Sequence, residues 1–231
     1  MPHSSKKYRK PERPSGSGSR ALTYVVVAVI VAIVAAGAGW YAYSTFGSTA
    51  RSIMTTTTTS PIIYAKIFTP MGVMEVELYA SLTPKTVANF VDLAKSGFYN
   101  DLTWHRIVKG FVIQTGDPTT KNGGGVRSTW GQHGSNQTVP LEIVPSLHNT
   151  IGTLGMARTS DPNSGSSQFY INLANNTNLD GQYTVFGKVI SGMNVAQSIA
   201  NVPTYPESSA YPDQPINPIL LTNVTILNSG P

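Results

Sequence analysis

Trp104-His105-Arg106-Ile107-Val108-Lys109-Gly110-Phe111-Val112-Ile113-Gln114-Thr115-Gly116-Asp117 places one arginine and one glutamine on a largely apolar, β-forming run. Side chains two apart on a strand point the same way, so Arg106 shares a face with Val108 while Ile107 takes the other. Lys109-Gly110 reads as a turn, with aromatic Phe111 and then Gln114 beyond it. A planar cationic donor, an apolar surface and an amide suit the binding of a neutral peptide group better than the cutting of a bond. The same stretch also reads as a surface hairpin whose arginine is merely solvated.

Two further segments bear on that choice. Met156 to Leu173 is a polar, turn-rich loop running into a strand that opens with Gln168 and carries Phe169 and Tyr170. Asn178 to Val189 is a turn followed by another strand. His105-Arg106-Ile107, Gly110-Phe111, Gln114-Thr115-Gly116-Asp117, Ser167-Gln168-Phe169 and Val185-Phe186-Gly187-Lys188-Val189, in this order, resemble the cyclophilins. These are the cyclosporin-binding class of peptidyl-prolyl cis/trans isomerases. The resemblance runs from about Ile62 to Leu227.

The remaining pattern is rich in short strands. Ile63–Thr69 and Val73–Tyr79 flank Pro70-Met71-Gly72 and read as a hairpin. Thr83-Pro84 offers an N-cap and an N1 proline for a helix that stops at Gly97. Val185 to Ile190 reads as a strand and Met193 to Ala200 as a second short helix. Pro203 to Pro218, with five prolines, is a loop before a closing strand from Ile219 to Leu227. Many strands with only two helices predict an all-β barrel or sandwich rather than a βαβ fold. The resemblance implies the specific form, a closed eight-stranded antiparallel β-barrel with the helices covering its open ends.

Residues 1–20 are rich in Lys, Arg, Ser, Gly and Pro, as in a disordered arm. Residues 21–43 begin with an uncharged Val/Ala/Ile run, with aromatics near both ends, and predict one transmembrane helix. Basic residues crowd its N-terminal side, which puts the N-terminus in the cytoplasm and the following domain outside. A cleaved signal peptide ending near Ala36-Gly37-Ala38 is the competing reading. Residues 44–61 form a Ser/Thr-rich stalk, and 62–231 the globular domain. From residue 62 onward nine basic side chains face ten acidic ones, so the net +5 lies in the arm and does not point to nucleic acid. The absence of cysteine excludes disulfides and thiol catalysis.

His105, His133 and His148 are too scattered for a metal site, Asn122-Gly123-Gly124-Gly125 lacks the Lys-Ser/Thr of a phosphate loop, and no serine occupies a nucleophile elbow. Isomerisation at proline needs none of these, nor any cofactor. The imide barrier is ~18–20 kcal/mol because nitrogen shares its lone pair with the carbonyl. A donor to that nitrogen as it pyramidalises stabilises the twisted state alone, which is what catalysis requires.

The resemblance implies that Arg106 is this catalytic donor and that Gln114 holds the substrate carbonyl and orients the arginine. It implies that Phe111 and Tyr170 wall the proline pocket, with Val112 and Leu179 in its lining and Tyr183 at its rim. Ala157, Arg158 and Thr159 would form the strip along which the peptide lies, with Gln168 a flanking polar contact. Asn178 stands where many members carry tryptophan, so weak cyclosporin binding is expected. The partners implied are proline-containing polypeptides, unfolded or folding, as for a folding assistant of chaperone type. A catalytically idle proline-binding module docking a partner is the alternative.

Overall fold

The computed structural model describes residues 62–227, so the expected arm, membrane span and stalk lie outside the described residues. Among the described residues no helix is long and apolar enough to cross a membrane. The strands are β1 (Ile63–Thr69), β2 (Gly72–Leu78), β3 (Leu102–Thr103), β4 (Arg106–Val108), β5 (Val112–Thr115), β6 (Thr153–Met156), β7 (Phe169–Asn172), β8 (Val185–Ser191), β9 (Leu220–Leu221) and β10 (Asn223–Leu227). Two helices accompany them, α1 (Pro84–Lys95) and α2 (Met193–Ala200). The β1–β2 hairpin turns where Pro70-Met71-Gly72 predicted, and its strands alternate buried with partly exposed residues in the period of two that a one-sided core requires.

Eight strands form one antiparallel sheet in the order β10-β1-β2-β8-β6-β7-β5-β4. The sheet curls but its edge strands β10 and β4 do not pair, so the expected closed barrel is corrected to a curled, open one. The reason is local. β4 has only three residues, and the chain beside the seam is engaged elsewhere: β3 pairs with β9 as a separate ribbon, and the Ile107 N–H donates to the Asp213 carbonyl at 2.8 Å. Loop backbone takes the place of the eighth ladder, which would have closed the sheet.

The inner face of the curl carries the core. Ile67, Met74, Val76, Ile113, Leu154, Ile171 and Phe186 are buried there, with Phe90 from α1. Phe90 meets Phe169 edge-to-face at 5.4 Å, and Tyr99 packs on both. Such pairs contribute roughly 0.5–1.5 kcal/mol each beyond the area they bury. The start of α1 differs from expectation in one detail. The Thr83 hydroxyl donates to the Tyr79 carbonyl instead of capping, and the Glu142 carboxylate accepts from the Lys85 and Thr86 N–H groups and the Thr86 hydroxyl. A carboxylate there satisfies orphan donors and meets the positive end of the helix dipole.

Candidate functional site

The strand registers align the key side chains in one row. Arg106 on β4 lies opposite Gln114 on β5, Gln114 opposite Tyr170 on β7, and Tyr170 opposite Gly155 on β6. Neighbouring Ile113 and Ile171 belong to the core, so the row lies on the other face of the sheet. Gly155 is required by close approach: a Cβ built there would fall within van der Waals radius of Tyr170 Cζ and Oη. The hydroxyl end of the ring lies over that glycine, and the ring forms a wall.

A cavity of about 300 Å³ opens over this row, lined by Arg106, Phe111, Val112, Gln114, Ala157, Arg158, Tyr170, Leu179 and Tyr183. The Arg106 guanidinium stands 5.8 Å from the Phe111 ring centroid. Tyr170 and Tyr183 meet edge-to-face at 5.9 Å. Arg158 is pinned across the rim: its Nε donates to the Gln182 carbonyl at 2.8 Å, and its charge lies 4.9 Å from the Tyr183 ring centroid. A second hollow of about 460 Å³ adjoins the first, sharing Gln114, Ala157 and Arg158 and adding Thr159 and Gln168. The catalytic and peptide-binding residues expected from the sequence therefore all line these two adjoining hollows, whereas Asn178 lines neither.

The second hollow also uses residues that sequence reasoning missed, namely Gly131 to Gly134, Ser164 and Ser166. Gln168 ties this wall to the first: its amide donates to the Gly131 and His133 carbonyls and accepts from Gln114 Nε2 at 2.9 Å. Asp117 is the organiser behind it. Fully buried, it accepts from the Thr119 N–H and hydroxyl through Oδ1 and from the Gly131 N–H through Oδ2 at 2.7 Å. The Gln-Thr-Gly-Asp motif thus supplies one groove side chain and one carboxylate that shapes the opposite loop.

Behind the Tyr170 wall lies a polar network that no sequence signal announced. The Tyr170 hydroxyl donates to Asn149 Oδ1 at 2.8 Å, and the backbone and side-chain N–H groups of Asn149 donate to Asp180 Oδ1. Asp180 follows Leu179 directly, so one buried amide joins the aromatic wall to the loop carrying the rest of the lining. Burial raises the Tyr170 hydroxyl above its ordinary value and keeps it protonated. The Asn149 N–H holds the Asp180 carboxyl below the usual range, with the His148 ring adding to it. His105, next to the arginine but turned into the core, is lowered by burial to about 4 and is neutral near pH 7.

The fold sets an apolar recess beside a guanidinium, with no nucleophile at the recess. The family described as "Cyclophilin type peptidyl-prolyl cis-trans isomerase/CLD" matches residues 64–226, and the chain belongs to it as a peptidyl-prolyl cis-trans isomerase. The "Peptidyl-prolyl cis-trans isomerase-like 1" of Aspergillus fumigatus is 41% identical over 163 residues, 70% of this chain and 94% of that protein. The peptidyl-prolyl cis-trans isomerase of Acinetobacter baylyi is 41% identical over 169 residues, 70% of this chain and 85% of that protein. A crystal structure of a cyclophilin type isomerase of Cryptosporidium parvum is 32% identical, with a TM-score of 0.62, covering 74% of this chain and 99% of the other. The same protein in the presence of the dipeptide Ala-Pro is 33% identical, with a TM-score of 0.60, over 71% of this chain and 98% of the other. Membership of the family makes peptidyl-prolyl bonds the substrate class of this chain.

Proposed function

We propose that the chain isomerises Xaa-Pro bonds by arginine-assisted stabilisation of the twisted imide, acting on exported or extracellular polypeptides from a membrane anchor. The observation that carries the mechanism is the row of Arg106, Gln114 and Tyr170 on three adjacent strands beneath one cavity. The proline ring enters the recess between Phe111 and Tyr170, with Val112 and Leu179 beneath and Tyr183 at the rim. Gln114 takes the carbonyl, Ala157 to Thr159 hold the peptide backbone, and Gln168 steadies Gln114. Arg106 donates to the imide nitrogen as its lone pair leaves conjugation with the carbonyl.

The magnitudes are consistent. Uncatalysed isomerisation takes tens to hundreds of seconds, and a gain of about five decades requires roughly 7 kcal/mol. One charge-assisted hydrogen bond supplies roughly 1.5–3 kcal/mol, so the rest falls to ring burial, fixed orientation and a site prepared in advance. The anchor reading rests on the uncharged run after residue 20 and the basic residues before it. Protease added to intact cells should then digest the domain and spare the arm.

The test of the mechanism is Arg106→Lys, which keeps the charge and removes the planar fork. A loss of about ten- to a hundredfold in kcat/KM is expected, with an unchanged circular dichroism spectrum. Wild-type turnover in a folded variant would sink the arginine role.

A further inference from the structure

Gln114 makes its side-chain hydrogen bond away from the arginine in this structure. Its amide goes to Gln168, and no hydrogen bond joins the Gln114 and Arg106 side chains. The group facing the guanidinium is the Asp213 carboxylate, whose Oδ2 lies 3.8 Å from Arg106 Nε. Asp213 comes from the proline-rich loop between α2 and β9, and its place is fixed by backbone. Its carbonyl accepts from the Ile107 N–H at 2.8 Å, one residue along β4 from the arginine, and its N–H donates to the Tyr205 carbonyl at 3.2 Å. It adopts φ +63°, a left-handed conformation uncommon outside glycine, asparagine and aspartate. The loop beyond it is clamped as well. Gln214 donates to the Arg127 carbonyl at 2.8 Å, and the Arg127 guanidinium donates to the carbonyls of Pro215 and Ile216 while lying over the Trp130 ring.

We propose that Asp213 is a positioning residue for the isomerisation, holding the Arg106 guanidinium by its Nε edge so that the terminal nitrogens point at the imide. The inference rests on the reading of Arg106 as the donor. A guanidinium on a flexible stem loses catalytic value in proportion to the orientations it samples, and a carboxylate on one edge with an aromatic ring nearby reduces them. Both partners are more than one-third exposed, so water screens the pair. The carboxylate thus weakens the guanidinium as a donor little, and its effect falls on where the donors point.

The experiment compares Asp213→Asn with the unmodified protein, each also in an Arg106→Ala background. Asparagine accepts the left-handed backbone and keeps the carbonyl on Ile107, so the loop is retained. We expect kcat to fall about two- to fivefold, the range that an exposed ion pair commands, with KM and the melting temperature unchanged. The Nε–Hε resonance of Arg106 should shift in the same variant, and Asp213→Asn should add nothing once Arg106 is alanine. Unchanged kcat in Asp213→Asn, or an equal loss in the alanine background, overturns the positioning role. Full turnover of Arg106→Ala alone overturns the arginine reading itself, and the positioning role with it.

Discussion

The Tyr170 wall exists because position 155 has no side chain, so Gly155→Ala is the sharpest perturbation of the pocket that substitutes none of its lining residues. A methyl group there would overlap Tyr170 Cζ and Oη, and Gly155 is fixed on both sides by pairing with β7 and β8. The ring must yield. Overpacking of this kind costs typically 1–3 kcal/mol. Displacing the ring also breaks the 2.8 Å hydrogen bond to Asn149 Oδ1, and an unmet buried polar group costs about 1–3 kcal/mol. Partial relaxation makes the two losses less than additive, so roughly 2–4 kcal/mol of stability should go. The ring moves away from Gly155 into the cavity, and a displacement of about 1 Å in a positioned site can cost up to a hundredfold in rate. Urea denaturation gives the first number, and isomerisation of an Xaa-Pro peptide followed by NMR exchange gives the second. A variant within about 0.5 kcal/mol of wild type with normal turnover would refute the claim that Gly155 sets the position of the wall.

Three more expectations follow from the same structure. Unfolded, His105 titrates near 6.5, whereas burial holds it at about 4 in the fold. The native state thus resists protonation, so stability should be complete above pH 6.5 and decline towards pH 4 by at most about 3 kcal/mol. His105→Gln should flatten that part of the denaturation-midpoint profile, and an unchanged slope would clear His105 of the effect. Glu142→Ala removes the carboxylate that caps α1 and should lower stability by about 1–2 kcal/mol while leaving kcat/KM intact, as read by melting and turnover together. Asn178, exposed in the turn before Leu179, offers cyclosporin neither a flat apolar wall nor an indole donor. Asn178→Trp should therefore tighten inhibition by roughly two decades at similar turnover, and no gain would show that this position does not govern drug affinity.

What the sequence disclosed and what it hid divide along a physical line. The β1–β2 hairpin and both helices carried local signals, a turn triplet and a Thr-Pro start among them, and the structure places them within a residue or two. β6 went unseen because Thr153-Leu154-Gly155-Met156 is short, buried throughout and centred on a glycine, which leaves no alternation to read. The single run from 104 to 117 is divided into β4 and β5 by the turn at Gly110, while β3 starts two residues before it. The groove side chains were legible through family resemblance, since no spacing rule brings Arg106 into one row with Tyr170. Glu142, Asn149 and Asp213 were invisible for a different reason. Each acts through a contact between segments distant in the chain, and a lone carboxylate or amide in a loop looks solvated until the fold is known.

Tyr64 lies opposite Leu227, so the first strand of the domain hydrogen-bonds with the last. During synthesis from the N-terminus, β1 waits with one edge paired to β2 and the other bare until the final residues of the domain emerge. The curl cannot complete earlier, and such long-range pairing belongs to the slower class of folding reactions. The same adjacency lets the two ends be joined by a short linker and new ends opened in the exposed turn at Lys109-Gly110, a rearrangement that would deliver β10 before β1 and β2 and change the order of assembly.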